Sequence, residues 1–339
     1  MAPTPLPTGG ATASVSFCPV ASATTDVPAP AGEAALAATE SFLATLDDGQ
    51  RTAVLAERTD EALARWSDQP DPLFDRAGLR MDALTPAQRE AVLKILAAVL
   101  SPDGYAQVNA ITTADGVLAA GGVGDLDLGA DHYWISILGT PAATGKWTVQ
   151  YGGHNLAVNV TLSGNDLTIA PTFWGAQPVS YTTDGITAEP LCGEVSKAFD
   201  LVGTFDDDQR AAAVLPAPVG EVVLGPGQDG KTLAPAGIEG AALTDGQREL
   251  LLALVEEWLR PMPAETAAAK FTAVLENLDR TTFAWYGDTK PGQPVYYRVQ
   301  GPTFTVEFAY QQSQDAEGLM HIHSVYREPG NDYGAQFGS

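Results

Sequence analysis

The chain has 339 residues, of which 45% are hydrophobic and 18% are charged, a composition typical of a folded protein rather than a disordered one. Acidic residues outnumber basic residues by 42 to 18, which gives a formal net charge of -24 at pH 7. This charge repels nucleic-acid phosphates and anionic lipid headgroups, so it argues against nucleic-acid partners and favours cations or small ligands. No apolar run is long enough to span a bilayer, so we expect no membrane insertion.

The first segment, residues 1–31, differs in composition from the rest of the chain. It is rich in Ala, Pro and Thr, and it contains no Lys or Arg. It therefore lacks the basic start and the apolar stretch of a signal peptide. We interpret it as the low-complexity N-terminal arm of a mature exported protein whose signal peptide has been removed. We accordingly expect a secreted or extracytoplasmic location.

The remaining sequence contains an internal repeat. Residues 41–100 align with residues 200–259 without a gap. Three motifs match at one shared offset: Asp47-Asp48-Gly49-Gln50-Arg51 with Asp206-Asp207-Asp208-Gln209-Arg210, Ala77-Gly78-Leu79 with Ala236-Gly237-Ile238, and Leu84-Thr85-Pro86-Ala87-Gln88-Arg89-Glu90 with Leu243-Thr244-Asp245-Gly246-Gln247-Arg248-Glu249. Self-similarity of this kind indicates a duplicated architecture. We expect a first repeat over residues 32–186 and a second over residues 187–339, packed together as one globular unit.

Each repeat begins with helical sequence. Thr85 and Thr244 are suitable N-cap residues, and a glutamine three positions after each can complete a capping box. Apolar residues then recur at helical spacing, and Pro102 and Pro261 end the two helices at matching places. Gln-Arg pairs occur at the same places in both repeats, which favours a structural role for these residues over a catalytic one.

Strand-like sequence follows the helices in each repeat. The predicted strands are residues 133–138, 147–151, 156–162 and 167–173, and then residues 282–286, 295–300, 303–310 and 321–326. Strands that follow strands favour an antiparallel sheet, and helices grouped before them favour an α+β fold. We predict an internally duplicated helix-then-antiparallel-strand unit, whose two copies are related by a pseudo-twofold axis and whose sheets are joined or facing.

The chain contains four histidines, and none has a histidine at the corresponding place in the other repeat. His321 and His323 are two residues apart in a predicted strand, so their side chains point to one face, about 6–7 Å apart along the chain. Two imidazoles set in this way can bind one metal ion. The matching strand of the first repeat carries Leu167 and Ile169 at these places.

Glu307, on the strand before the histidine pair, is a candidate third ligand. Its counterpart in the first repeat is Asn159, so the carboxylate also occurs in one repeat only. If the last two strands form a hairpin, Glu307 can lie across from the histidine pair. The alternative is an ion pair between Glu307 and either Arg298 or Arg327.

His154 is a candidate fourth ligand. It follows Gly152 and Gly153, whose lack of side chains permits a bulge or a close backbone approach. By strand alternation it shares a face with Leu156 and Val158, an apolar face that should point inward. A hydrogen-bonded core histidine is therefore the alternative to a metal ligand at this position.

A site of three histidines and one glutamate suits Zn, Cu, Fe or Mn, and the donor types do not separate these metals. With an open coordination position, the ion would lower the pKa of bound water or activate dioxygen, and Arg298, Arg327 or Tyr326 would orient an anionic or polar substrate. We therefore consider an exported metal-dependent enzyme, hydrolytic or oxidative. The alternatives are a non-catalytic extracellular protein that binds a metal or a small ligand, and an interaction module in which the histidines only satisfy hydrogen bonds.

The chain has two cysteines, Cys18 and Cys192. In an exported protein, two cysteines most simply form one disulfide, which here would join the N-terminal arm to the middle of the chain. In a cytosolic protein, two unpaired buried thiols would be the better interpretation. We predict the disulfide because we expect export.

A further set of motifs runs from about residue 35 to the C-terminus. They are Leu84-Thr85-Pro86-Ala87-Gln88-Arg89, Leu100-Ser101-Pro102-Asp103-Gly104-Tyr105, Gly153-His154-Asn155-Leu156, Pro171-Thr172-Phe173-Trp174-Gly175-Ala176, Tyr297-Arg298-Val299-Gln300-Gly301-Pro302, His321-Ile322-His323-Ser324-Val325-Tyr326-Arg327 and Asn331-Asp332-Tyr333-Gly334. In these motifs the chain resembles an uncharacterised bacterial family, number thirty-five hundred in the domain-of-unknown-function series. The family usually has a second histidine where this chain has Asn155. The resemblance implies an exported bacterial protein and supplies no reaction.

Overall fold

The computed structural model describes residues 15–17, 31–122, 126–312 and 320–338. The helices in this part of the chain are α1 (Ala31–Ala44), α2 (Asp48–Val54), α3 (Asp60–Leu63), α4 (Pro86–Val99), α5 (Pro102–Ala120), α6 (Cys192–Gly203), α7 (Asp207–Ala213), α8 (Asp245–Leu259) and α9 (Ala264–Glu276). Short 3₁₀ helices occur at Met81–Ala83, Gly240–Ala242, Leu278–Arg280 and Asp332–Gly334.

The strands described are β1 (Val15–Phe17), β2 (Leu55–Ala56), β3 (Leu79–Arg80), β4 (Trp134–Leu138), β5 (Lys146–Gly153), β6 (Leu156–Ser163), β7 (Asp166–Thr168), β8 (Thr172–Ala176), β9 (Tyr181–Thr183), β10 (Ile186–Ala188), β11 (Ile238–Glu239), β12 (Thr282–Gly287), β13 (Val295–Gln300), β14 (Thr305–Gln312) and β15 (Met320–Arg327). The predicted α+β class is confirmed. Within the described ranges, no helix is both long and apolar enough to cross a membrane.

The helices begin where the sequence signals predict. Thr85 accepts a hydrogen bond from the backbone N–H of Gln88, whose side chain in turn accepts from the Thr85 backbone N–H. Gln88 Nε2 also donates to Gln50 Oε1 at 2.9 Å, which joins α4 to α2. The same contacts in the second half of the chain are made by Thr244, Gln247 and Gln209. These repeated glutamines therefore hold the scaffold together, as predicted.

Twelve of the strands in the described residues form one large sheet. Its order is β11-β12-β13-β14-β15-β8-β6-β5-β4-β2, with β3 also paired to β4 and β7 to β6. β15 pairs with β8 in antiparallel register, Ser324 opposite Trp174, so strands from both halves of the chain form one continuous sheet. β1, β10 and β9 form a separate three-stranded sheet.

One predicted strand is wrong. Residues 167–173 do not form a single strand: β7 ends at Thr168, and β8 begins at Thr172. Pro171 lies between the two strands and has no backbone N–H to donate to a neighbour, which explains the interruption. It is β8, and not a strand that starts at Leu167, that lies beside β15.

The two faces of the large sheet are covered differently. On one face, Trp258 of α8 donates its indole N–H to Ser324 Oγ at 2.7 Å, and Phe308 stacks on Tyr297 with ring centroids 4.8 Å apart. The other face is covered by two long connections, which we call the first strap (residues 57–78) and the second strap (residues 215–237). Alternation along β14 places Glu307 on the strap side, because its neighbour Phe308 faces the helices.

The C-terminal turn connects the two straps. The indole N–H of Trp66, in the first strap, donates to the Tyr333 hydroxyl at 2.7 Å. That hydroxyl donates in turn to Asp229 Oδ1, in the second strap, at 2.8 Å. The straps are therefore cross-linked over the sheet by one partly buried phenol.

Candidate functional site

The histidine pair lies beside a cleft where the two straps approach each other. This cleft has a volume of about 210 Å³, and we call it the histidine cleft. Its lining includes Asp68, His154, Asn155, Glu221, His321 and His323. Three of the four histidines of the chain therefore border one cavity.

His321 and His323 share one face of β15, as predicted from their spacing. Their ring centroids are 4.7 Å apart, and the ring planes are inclined by 58°. Across the sheet, His321 is paired with Gln311 and His323 with Ala309 on β14. The small side chain of Ala309 leaves room beside the His323 ring.

The carboxylate that meets the pair is Glu221, which belongs to the second strap. Its Oε2 atom lies 2.9 Å from His323 Nδ1. One donor atom from each of Glu221, His321 and His323 lies within 4.8 Å of the other two. The side chain of His323 is 16% exposed and that of Glu221 is 47% exposed, so this cluster is accessible from the cleft.

Contact between Glu221 and His323 shifts the pKa of both groups. Burial lowers the pKa of His323, but the hydrogen bond and charge of Glu221 and the charge of Asp68 outweigh it and raise the pKa above the usual histidine value. Burial raises the pKa of Glu221, but contact with His323 and the hydrogen bond from the Val222 N–H bring this pKa below the usual glutamate value. The contact therefore favours a charged imidazolium–carboxylate pair when nothing else binds there.

The opposite wall of the cleft carries His154, which is paired with a buried carboxylate. His154 lies in the turn between β5 and β6, and not on the apolar face of β6 as predicted. Its Nδ1 atom is 2.5 Å from Asp115 Oδ1, and the Asp115 side chain is 2% exposed. Asp115 also accepts from the backbone N–H of Gly129 at 3.0 Å. Because Asp115 engages Nδ1, Nε2 is the ring nitrogen left to meet a ligand.

Asn155 connects the two walls. Its Oδ1 atom lies 3.2 Å from His323 Nε2, and its backbone N–H donates to the Asp68 carbonyl at 2.9 Å. Asn155 has a φ of 61°, a left-handed conformation that asparagine tolerates in turns. Gly175 separates Asn155 from β15: a Cβ at this position would lie 2.8 Å from the Ile322 carbonyl oxygen and 3.1 Å from Asn155 Oδ1. The close approach of Asn155 to His323 therefore requires a glycine.

Glu307 is not brought to the histidine pair. It is 0% exposed, and its two oxygens accept from the backbone N–H groups of Val223 at 2.9 Å and Leu224 at 2.7 Å. The hydroxyl of Tyr296 also donates to it. Glu307 does lie on the predicted face of the hairpin, but three donors already occupy it. Its role is to hold the second strap on the sheet, and the carboxylate beside the histidines is Glu221 instead.

The three predicted substrate-orienting residues are also engaged in the scaffold. Arg298 donates to the Ala234 carbonyl at 2.8 Å, and Tyr326 donates to Glu328 at 2.9 Å. Arg327 donates to the Leu224 carbonyl at 2.8 Å and forms ion pairs with two aspartates. All three are buried, and none lines the histidine cleft. The structure therefore does not bring them to the histidines.

The structure describes only one of the two cysteines of the predicted disulfide. Cys192 is the first residue of α6, whereas Cys18 lies outside the described residues. The pairing of Cys18 with Cys192 stays a prediction.

Comparison with known proteins identifies a family. A family model described as "Protein of unknown function (DUF3500)" matches residues 29–335, so the chain belongs to that family. No curated protein and no solved structure matches the chain.

Proposed function

We propose that this DUF3500 protein binds a divalent transition-metal ion in the histidine cleft, through Glu221, His321 and His323. The observation that carries the proposal is the convergence of their donor atoms within 4.8 Å of one another. Donors that share one tetrahedral ion at 2.0–2.1 Å are about 3.3 Å apart. Small side-chain rotations are therefore enough to place the three donors around one ion.

The charge around the cluster favours a cation. Asp68 Oδ2 lies 4.0 Å from His323 Nε2, so a second carboxylate lies next to the three ligands. The chain as a whole carries a net charge of -24. Imidazole and carboxylate donors in this number suit Zn, Cu, Fe or Mn. Metal binding would displace the proton that the Glu221–His323 contact favours.

His154 decides between two versions of this function. A carboxylate on the far nitrogen of an imidazole is the usual support of a metal-binding histidine, and Asp115 supplies it here. If His154 Nε2 completes a four-coordinate site, the protein binds metal without catalysis. If His154 stays off the ion, water can take the open position, and His154 can accept a proton from it. The second version is a metal-dependent hydrolytic or oxidative enzyme.

We also propose that the chain arose by duplication, with repeats at residues 32–186 and 187–339. The order of strands supports it: β3, β4, β5, β6 and β8 on one side of the sheet match β11, β12, β13, β14 and β15 on the other. β8 and β15 meet in antiparallel register, as a pseudo-twofold axis between them would require. The matched capping boxes at Thr85 and Thr244 support the same relationship.

Export is part of the proposal. It is supported by the composition of the N-terminal arm, residues 1–31, and it predicts a disulfide between Cys18 and Cys192. Mass spectrometry of the protein purified from an exporting host, without reduction, should find the two cysteine-containing peptides joined. Two cysteines that can both be alkylated would contradict the disulfide and remove that support for export.

Elemental analysis tests the metal site. Untagged protein is incubated separately with Zn, Cu, Fe and Mn salts, desalted and analysed for bound metal. We expect one ion per chain for at least one of the four metals. His321→Ala, His323→Ala and Glu221→Gln should each weaken binding at least tenfold, because each removes a donor.

The fourth histidine provides a matched control. His132 Nδ1 lies 3.1 Å from Asp127 Oδ1, and His132 does not line the histidine cleft. His132→Ala should therefore bind the metal as the unchanged protein does. The proposal is lost if no metal is retained, or if the His132 variant loses as much metal as the His321 and His323 variants.

A further inference from the structure

A second cleft lies at the other end of β14. It has a volume of about 300 Å³ and is bordered by the second strap, the turn between β13 and β14, and the segment after β15. Its lining includes Lys231, Thr232, Arg280, Gln300, Thr305 and Arg327. We call it the basic cleft. Thr305, the first residue of β14, lines the basic cleft, and Gln311, next to its last residue, lines the histidine cleft, so the two clefts are about 20 Å apart.

The charged residues that line this cleft are three basic ones and one acidic one, Asp332, whereas the protein as a whole is acidic. Only 18 of the 339 residues are Lys or Arg, yet three of them line this one cavity. Arg327 is balanced by Asp229 at 2.8 Å and Asp332 at 2.9 Å. Lys231 and Arg280 are exposed, and among the described residues their side chains hydrogen-bond to neutral amide oxygens, those of Gln228 and Asn277, and form no ion pair. Two cations at the rim are thus left without a carboxylate partner.

Gln300 provides a hydrogen-bond acceptor in the basic cleft. Its Nε2 atom donates to the Leu233 carbonyl at 2.8 Å, which fixes the orientation of the amide. Its Oε1 atom is buried, and no donor among the described residues reaches it. A buried acceptor without a donor is unfavourable, and a hydroxyl group of a bound molecule would relieve this cost. The cleft therefore presents two cations and one acceptor.

We propose that the basic cleft binds a small hydroxylated anion, such as a sugar acid or a sugar phosphate. Lys231 and Arg280 hold the anionic group at the rim, and Gln300 Oε1 accepts a hydrogen bond from a hydroxyl group below it. The volume of the cleft matches the lower end of the range for small-molecule sites. This site is independent of the metal site, because the two clefts share no lining residue.

Isothermal titration of the full chain with chosen probes tests the proposal. Gluconate and glucose 6-phosphate carry both an anionic group and hydroxyl groups, and comparing them separates carboxylate from phosphate recognition. Glucose lacks the anion, and inorganic phosphate lacks the carbon-bound hydroxyls. We expect at least one of the first two to bind at least tenfold more tightly than glucose and inorganic phosphate. Binding should weaken as salt is added, because exposed charges are screened.

Variants at the rim provide the control for folding. Lys231→Gln combined with Arg280→Gln should weaken binding at least tenfold with little change in thermal stability, since both side chains are exposed. Lys290→Gln removes an exposed lysine elsewhere and should leave binding unchanged. The proposal is overturned if neither hydroxylated anion binds, if the double variant binds as tightly as the unchanged protein, or if inorganic phosphate binds equally well.

Discussion

The carboxylate of Glu307 accepts a hydrogen bond from the backbone N–H of Leu224 at 2.7 Å, and this contact fastens the second strap to the middle of β14. The carboxylate is fully buried, so its charge is compensated only by neighbouring donors. Three residues towards the N-terminus, the same strap carries Glu221 into the histidine cleft. The position of Glu221 therefore depends on a buried charge that does not itself reach the cleft.

Replacing Glu307 should destabilise the protein and weaken the metal site together. In Glu307→Gln the amide nitrogen faces a backbone N–H group. It cannot accept a hydrogen bond from that group, so one buried donor loses its partner. We expect a loss of about 2–4 kcal/mol in the free energy of unfolding, measured by denaturant titration. Glu249→Gln, an exposed control on α8, should change it by less than about 0.5 kcal/mol. Equal stability of the two variants would contradict the anchoring role.

Gly175→Ala should separate Asn155 from His323. The added methyl group would lie 2.8 Å from a backbone carbonyl of β15, so β8 and β15 must move apart or Asn155 must rotate away. We expect a loss of about 1–3 kcal/mol, as is typical of overpacking, and weaker metal binding. Gly203→Ala is the matched control, because no atom lies within 4 Å of the Cβ it would add. If Gly175→Ala retains both stability and metal affinity, the crowding at Asn155 is not important.

Asp115→Asn tests how His154 takes part in the site. The neutral amide no longer supports the imidazole through its Nδ1 atom, and loss of such an outer carboxylate typically costs 10–100-fold in metal affinity. If His154 binds the ion, Asp115→Asn and His154→Ala should both weaken binding. If His154 instead accepts a proton from bound water, both variants should retain the metal and lose activity. Unchanged affinity and activity in both variants would remove His154 from the site.

The raised pKa of Glu194 predicts how the free energy of unfolding depends on pH. This glutamate is 2% exposed, and Gln107 donates to its Oε1 atom at 3.1 Å. Burial, with the nearby charge of Glu257, raises its pKa from 4.5 to about 8. Between these two values the folded protein retains a proton that the unfolded chain releases, so stability falls as the pH rises through this window. Above pH 8 the full cost of a buried carboxylate is present.

Glu194→Gln should remove this dependence. The variant should gain stability relative to the unchanged protein as the pH rises from about 5 to 8, by roughly 1.4 kcal/mol for each unit of pKa shift that is removed. Denaturant unfolding at a series of pH values measures the difference. Glu256→Gln, an exposed control on α8, should follow the unchanged protein at every pH. A constant difference between Glu194→Gln and the unchanged protein would show that Glu194 ionises normally.

The sequence predicts what depends on local spacing. The capping boxes at Thr85 and Thr244, and the shared face of His321 and His323, follow from contacts between residues two to four positions apart. Glu221 was missed because it lies 102 positions from His323, on a strap without periodicity. Only the way that strap lies on the sheet brings the two together, and no spacing in the sequence encodes it.

His154 and Glu307 show the same limit in two different ways. Strand alternation predicts the wrong face for the side chain of His154, because this residue lies in a two-residue turn and not in a strand. For Glu307 the strand pattern predicts the correct face, but two of its three partners belong to a connection more than eighty residues earlier. A strand pattern gives the direction of a side chain, whereas its neighbours depend on how distant segments pack.

The second strap borders both clefts, with Glu221 at one and Lys231 at the other, and it is fastened between them by Glu307 and Arg327. Because the middle of the second strap is held in place, a movement of one end on ligand binding is not transmitted to the other end. Occupancy of either cleft should therefore leave the dissociation constant at the other unchanged, and the binding free energies of the two ligands should be additive.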